Sequence, residues 1–313
     1  MITSLRHAWR QSPVGLRRLL ARSGAPYALS YILNYRKSHR IENFAGNLEQ
    51  LNAAYREGSD DVKAEIRRQF DRIVDGLVMP NGVKKTTYSD RLSHLIAEIL
   101  TAVRLPQQEL RVLDLPSSAG APSLQISELL QENYRITSYV LGDLYHCILH
   151  DARRCCIFDE HGNLLQVAFR KFYFSIYKGH KCGDQYTFIS TCLLLPHSIA
   201  AWCLKKLYRF DPGAECRRLL VVHPEVEQHL GRGIYHLEVM DIFQPIPDNY
   251  DVILSFNLLQ KNYFPPAVIA AGIANLASSL TEGGLLVLGD TDSFWALQKQ
   301  DGSLITRLRK GDF

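Results

Sequence analysis

A chain of 313 residues that is 46% hydrophobic and 22% charged has the makings of an ordinary globular protein, with material for one large domain or two smaller ones. Its seven cysteines are scattered without C-x-x-C spacing. The start carries no secretory pattern of an apolar core and a small-residue cleavage site, so a reducing, cytoplasmic setting with free thiols is expected. The net charge of +4 hides an asymmetry: eight basic residues and no acid precede Glu42, leaving 28 basic and 32 acidic residues in the remainder. Such a start is consistent with a transit peptide, a membrane-surface helix, a nucleic-acid arm or a solvated helical face.

Residues 1 to about 40 show short helical patterns broken at Pro13, Gly24 and Pro26. From Ile41 to Leu77 the apolar residues, among them Leu48, Leu51, Ile66, Phe70 and Ile73, recur near helical spacing. The turn cluster "MPNGVKK", Met79 to Lys85, marks a boundary. It separates a helical amino-terminal region, residues 1–80, from an α/β domain over 81–313. Ser89 or Asp90 is placed to cap a helix through "RLSHLIAEILTAV".

Strands and helices then alternate, the pattern of a doubly wound, Rossmann-like sheet. Strands are expected at Val112–Leu115, Ile136–Leu141, Tyr235–Val239, Tyr250–Ser255 and Leu285–Gly289. Helices are expected at Pro122–Gln131, Tyr145–Arg153 and Ala267–Leu280. An insertion of about 155–232 opens with a hairpin around Asp159 to Asn163. Within it Tyr186 to Leu204 has no Lys, Arg, Asp or Glu. Its length could span a bilayer, but a single crossing would split one sheet across the membrane. Pro196 suits a strand followed by a helix from near His197. The alternative is an interfacial element flanked by Trp202, Lys205 and Lys206. "RRLLVVHPEVEQHL" reads as a further strand and helix.

The chemistry centres on "RVLDLPSSAGAPSL", Arg111 to Leu124. A turn between the carboxyl end of a strand and a helix amino terminus presents unpaired N–H groups and a positive dipole end. Pyrophosphate sites favour G-x-G-x-x-G there; this turn offers Pro116, Ser117, Ser118, Ala119 and Gly120. Their order, "DLPSSAG", resembles position by position the D-L-G-C-G-T-G type of turn in class I S-adenosylmethionine-dependent methyltransferases, with Asp114 six residues before Gly120. Asp143 beyond the second strand, Asp241 after "YHLEVM", "YDVILSFNLLQKNYF" and "LASSLTEGGLLVLGD" follow in the order of that superfamily. A narrower likeness is to the chemotaxis-receptor glutamate methyltransferases. Those enzymes share a helical start, a serine-rich turn and an insertion. Phe256 stands where they carry an arginine.

The resemblance implies S-adenosyl-L-methionine as cofactor. It would be held by Asp114, Pro116, Ser117, Ser118, Gly120, Asp143, Leu144, Asp241, Ile242 and Asn257. Asp143 would accept from the ribose hydroxyls, Asp241 would reach the adenine amino group, and Ile242 would pack on its ring. Asn257 and Tyr263 are the candidate catalytic residues, orienting cofactor or acceptor. Bland readings stand beside these: a turn-ordering role for Asp114 and Asp241, a helix cap for Asp143, a strand end for Asn257. No metal is expected, although His146 and His150 lie one helical turn apart if that segment is a helix. The acceptor, whether small molecule, protein or lipid-linked, is open; peripheral membrane contact is an option and nucleic acid is not an expected partner. Two other classes stay open: a non-catalytic binding protein on the same fold, and a membrane-surface enzyme acting on a lipid-linked acceptor. A nicotinamide oxidoreductase is disfavoured by the missing G-x-G-x-x-G.

Overall fold

The computed structural model describes residues 39–80, 82, 85, 92–177, 188–230, 233–261, 263–290 and 293–311. The expected caps Ser89 and Asp90, and nearly all of the basic start, lie outside these residues. Two short 3-10 turns (Ile41–Asn43 and Ala45–Asn47) lead into helices α1 (Leu48–Glu57) and α2 (Asp60–Asp75). Leu48, Leu51 and Tyr55 on α1, and Ile66, Phe70 and Ile73 on α2, are buried at three- and four-residue spacing, one face of each helix. Helix α3 (Ser93–Ala102) precedes strand β1 (Glu109–Asp114), helix α4 (Ala121–Gln131) and strand β2 (Arg135–Asp143).

The next stretch departs from the sequence expectation. Residues 145–153 contain no helix: Cys147–Asp151 is strand β3. Cys147 and Ile148 are both buried, and pairing to partners on either side replaces the helical bonds a segment this short could not sustain. Strands β4 (Cys156–Phe158), β5 (Leu164–Phe169) and β6 (Phe172–Ser175) follow. The β4–β5 connection is the expected hairpin, its turn organised by Asp159, which accepts from the N–H groups of His161 and Asn163. Helix α5 (Phe188–Leu207) then runs straight through Pro196, where a strand-to-helix change was expected. Proline removes one helical donor at a cost of about 3 kcal/mol; the surrounding leucine- and alanine-rich run favours the helix. Strand β7 (Arg217–Leu220) and helix α6 (Pro224–His229) complete the insertion.

Strands β3 to β7 form an antiparallel sheet of order β6-β5-β4-β3-β7. One face shares a core with α1 and α2, where Phe70, Ile73, Ile148, Ile157, Leu165 and Leu219 meet. The other face, with Phe158, Leu164 and Val167, packs Ala201 of α5. The amino-terminal helices and the inserted sheet are therefore layers of one body of structure. Among the described cysteines Cys147, Cys155, Cys156, Cys203 and Cys216 are free thiols.

The remaining elements are β8 (Tyr235–Val239), β9 (Tyr250–Phe256), α7 (Pro266–Ser278), β10 (Leu280–Gly289), β11 (Phe294–Gln300) and β12 (Ser303–Lys310). The large sheet has the order β12-β11-β10-β9-β1-β2-β8. Five strands are parallel, and by order of appearance they read third-second-first-fourth-fifth. That is a doubly wound sheet, reversing between β1 and β9. Both faces are covered: Val112, Val252, Leu254, Leu285 and Val287 join the core with Leu95, Leu124 and Leu130 of the helices on one side, and Leu113, Ile253, Leu286 and Leu288 join Leu276 of α7 on the other. Burial on two faces explains the apolar run Val252–Leu254 at the centre of β9.

The antiparallel edge β11–β12 escaped the sequence reading. Its turn is Asp301-Gly302, both at positive φ, the dipeptide that two-residue hairpins favour. The Gly-Gly turn before the expected strand at 285 instead lies inside β10. There Gly283 adopts φ +77°, and a Cβ on it would stand 2.6 Å from the Pro106 ring.

Candidate functional site

Sheets that reverse order bind ligands outside the carboxyl ends of the strands flanking the reversal. β1 ends there in Asp114, and the chain turns through Leu115 to Gly120 into α4. Gly120 sits at φ +76°, and a Cβ on it would meet Leu141 at 3.3 Å and Val226 at 3.4 Å. A left-handed conformation costs a residue with Cβ about 1–2 kcal/mol. Gly120→Ala is accordingly expected to lower unfolding stability by at least that amount in urea melts; an unchanged midpoint would show that the turn relaxes freely. Gly120 N–H donates to Ser117 O (2.9 Å) and Ser117 N–H to Gly142 O (2.8 Å), lashing the turn to β2.

Asp114 is buried, and Oδ2 accepts from the Ser123 hydroxyl of α4 at 2.5 Å. Burial pushes its carboxyl up to about 7, against the Ser123 hydrogen bond and with help from the negative charge of Asp143. It orders the turn and the helix start, the bland role considered for it.

Asp143, the last residue of β2, is the hub. Its Oδ2 accepts from the Ser118 N–H at 2.9 Å, and its Oδ1 from the Tyr145 N–H at 3.1 Å. Oδ1 also receives the ammonium of Lys85 at 2.5 Å, with the two side chains 10% and 4% exposed. Lys85 is held by its backbone N–H to Leu77 O (3.2 Å) beyond α2, so the turn cluster read as a boundary delivers a cation into the site. The hydroxyls of Ser117 and Ser118 are buried and find no hydrogen-bond partner among the described residues. His146, also buried, meets Glu238 O through Nε2 at 2.9 Å. Burial, and then Lys85, depress its pKa.

Across the sheet Met240 N–H donates to Asp143 O (3.0 Å), placing Asp241 beside the hub. Asp241 is half-buried, and its Oδ1 accepts from the Phe243 N–H at 3.0 Å. Ile242 is only 3% exposed and packs into the core under α7, whose Asn275 donates to its carbonyl. Leu144 is exposed. On the far side of the reversal, Asn257 lies just past β9 at φ +61° and donates its N–H to Gly289 O at 2.7 Å. Tyr263, 38% exposed, follows in a short turn closed by its N–H to Gln260 O (2.9 Å).

Direct hydrogen bonds thus join Ser118 to Asp143, and Gly120 through Ser117 to Gly142, with Asp114 in electrostatic reach of Asp143. Asp241 adjoins through the backbone of β8, and Asn257 and Tyr263 occupy the next strand's exit. Sequence reasoning missed Lys85, and it grouped His146 with His150 on a helix that does not exist. It also missed His223, whose N–H donates to Ala119 O (2.8 Å) and whose Nδ1 caps α6 by accepting from the Glu225 N–H at 3.3 Å.

No family model matches the chain, and no curated protein matches it. Among solved structures it is similar to a S-adenosylmethionine-dependent methyltransferase from Clostridium acetobutylicum ATCC 824, at 13% identity and a TM-score of 0.30, over 68% of this chain and 63% of that one. It is also similar to CalO1, a methyltransferase in calicheamicin biosynthesis in its SAH-bound form, at 12% identity, a TM-score of 0.29 and coverage of 75% and 41%. A third is the [4+2]-cyclase SpnF, at 13% identity, a TM-score of 0.29 and coverage of 69% and 50%. The similarity spans less than two thirds of each of those chains. The narrower likeness to chemotaxis-receptor enzymes finds no support among them. Strand order, reversal beside β1 and helices on both faces give this chain a Rossmann-like, doubly wound α/β fold, carrying an inserted antiparallel sheet and an antiparallel carboxyl-terminal edge.

Proposed function

We propose that the crevice beside β1 binds S-adenosyl-L-methionine and that the chain transfers its methyl group to an acceptor. The observation that carries this reading is the bond between the Asp143 carboxylate and the Ser118 N–H, which couples the acid of β2 to the turn of β1 at the sheet's reversal. The fit is supported by the two buried hydroxyls of Ser117 and Ser118, which have hydrogen-bonding capacity to spare, and by a first turn, "DLPSSAG", without the G-x-G-x-x-G of pyrophosphate sites. When bound, the cofactor supplies an electrophilic methyl on a sulfonium. The protein's task is then to hold an acceptor in line with it, which proximity and orientation can accelerate greatly without a dedicated base. Asp143 would anchor the ribose, Asp241 the adenine edge, and Asn257 and Tyr263 would orient the acceptor. Ile242 contributes from within the core, as a wall behind the adenine.

A titration of the full chain with S-adenosylmethionine and with its demethylated product tests this. Micromolar-range binding is expected for both ligands. Asp143→Asn, which keeps the shape and removes the charge, is expected to weaken it by about ten- to a hundredfold, the loss of charge-assisted hydrogen bonds. Unchanged affinity in a folded Asp143→Asn protein would overturn the ribose assignment.

One observation favours a second reading, a binding protein on the same fold that performs no methyl transfer. An ionised carboxylate offers about four acceptor positions, and Lys85, Ser118 and Tyr145 already occupy three of those on Asp143. A ribose diol needs two, so the ammonium of Lys85 has to yield one. A wild-type protein that is folded and binds neither ligand would select this reading.

A further inference from the structure

We infer that the α5 side of the inserted sheet is a docking surface for an anionic lipid bilayer, independently of whether the crevice transfers a methyl group. Helix α5 commits one face to the protein, through Ala201 and the stacking of His197 on Phe174, with ring centroids 4.6 Å apart. Its outer face carries Ile199 (55% exposed) and Trp202 (59%), and Leu207 (75%) ends the helix. Ile199, Trp202 and Lys206 are spaced three and four apart, hence on one stripe. The Lys206 ammonium lies 4.2 Å from the Trp202 ring centroid, and that of Lys205 lies 4.1 Å from that of Tyr177. No acid occurs between Asp184 and Asp211. Aromatic and aliphatic side chains beside lysines, without acids, match the boundary of acyl chains and negatively charged headgroups.

The neighbouring hairpin repeats this chemistry. Phe169 and Phe172 are directly paired across β5 and β6, and both are exposed. Val167 and Phe174, the next pair facing the same way, belong to the core beneath α5, so the two phenylalanines lie on the α5 side of the sheet. The turn between them is Arg170-Lys171. Against this hairpin the acid-free start of the chain enters the fold. Tyr173 N–H donates to His39 O and Ile41 N–H to Lys171 O, both at 3.0 Å, with Arg40 bridging to Phe172. Seven further basic residues precede His39. Where the chain enters, Arg40 is paired with Glu42 at 3.9 Å, so the charge of a single sign is that of α5 and of the Arg170-Lys171 turn, and it points to an anionic surface. Among the described residues no helix is long and apolar enough to cross a membrane; the contact is with its surface.

Flotation of the full chain with vesicles of phosphatidylcholine, alone or mixed with phosphatidylglycerol, tests the inference. The protein is expected to float with the mixed vesicles, to detach at high salt, and to lose about tenfold or more of its affinity in a Lys205→Glu/Lys206→Glu variant. Vesicle addition should shift tryptophan emission to the blue in the wild type but not in Trp202→Phe. A Phe169→Ser/Phe172→Ser variant provides an independent loss if the lysine variant fails to fold. Absence of flotation, equal binding to both vesicle types, or binding indifferent to these substitutions overturns it. So does a concentration-dependent dimer in light scattering that the same substitutions abolish, which would assign the face to a second copy of this chain.

Discussion

Lys85→Met should destabilise the protein by about 3–5 kcal/mol, because it leaves the Asp143 carboxylate buried without its counter-ion. Asp143→Leu should cost a similar amount, for it strands an ammonium whose side chain is only 4% exposed. The double variant Lys85→Met/Asp143→Leu removes both charges and replaces them with apolar groups, of similar volume at residue 85 and somewhat larger at residue 143. It should be far less damaged than the sum of the single changes, with a non-additivity of about 0.5–3 kcal/mol or more for groups in direct contact. Equilibrium urea unfolding of the four proteins reads this. Additive losses would mean that the two groups do not interact, and would remove the cation from the description of the site. The pair joins residues 58 positions apart and clips the segment after α2 to the end of β2. Its rupture therefore loosens the crevice as well as lowering stability.

Two buried groups should tilt the stability in opposite directions over one pH range. Asp114 has its folded pKa raised by burial from 3.8 to about 7. Its contribution is fully present below about pH 4 and is lost as pH rises through 7, a change of about 4 kcal/mol when complete. His223, packed edge-on against Phe70, has its folded pKa lowered by burial, and further by Arg67, from 6.5 to about 4. Its contribution is fully present above about 6.5 and is lost as pH falls through 4, a change of about 3 kcal/mol. The wild-type curve between pH 4 and 7 should therefore be flatter than either effect alone. Asp114→Asn removes the first slope and should gain on wild type as pH is raised from 4 to 7. His223→Asn, which keeps a capping side chain, removes the second and should gain on wild type as pH is lowered over the same range. Parallel curves for wild type and Asp114→Asn would show that Asp114 is ionised throughout.

Most of the large sheet was legible because buried parallel strands and their covering helices announce themselves as apolar runs and 3.6-residue periods. β8 was read with its bounds as found, and β1, β2, β9, α4 and α7 within a few residues of them. The failures have physical causes. In Cys147–Asp151 a short apolar stretch followed by two arginines fits a helix as well as a strand, and only pairing with β4 and β7 decides. Pro196 signals a helix break, but the helix-forming residues around it outweigh that signal in α5. The β11–β12 hairpin is signalled only by the dipeptide Asp301-Gly302, with no alternating apolar pattern on β12 to support it. For the site, the turn and Asp143 were legible because both sit at the end of a strand. Lys85 was not, since nothing in "GVKK" distinguishes a lysine that will be buried from its neighbour. Ile242 was read by its place in the chain, whereas its side chain is spent on the core beneath α7.

The insertion has a further consequence, in the order in which the molecule can assemble. β2 ends at Asp143 and its parallel neighbour β8 begins at Tyr235, so one edge of the main sheet waits on an excursion of some ninety residues. Bringing the ends of so long a free loop together is entropically costly, although the cost grows only logarithmically with its length. A folded inserted sheet shortens that loop, since β3 leaves from β2 and β7 returns beside β3, through antiparallel pairing of Cys147 with Leu220 and Ile148 with Leu219. Once β3 and β7 are paired, the chain still to be searched before β8 docks is the stretch from Val221 through α6. The inserted sheet acts as a clamp that moves the cost of closure onto its own β3–β7 pairing, so that β8 meets β2 across a short remaining loop.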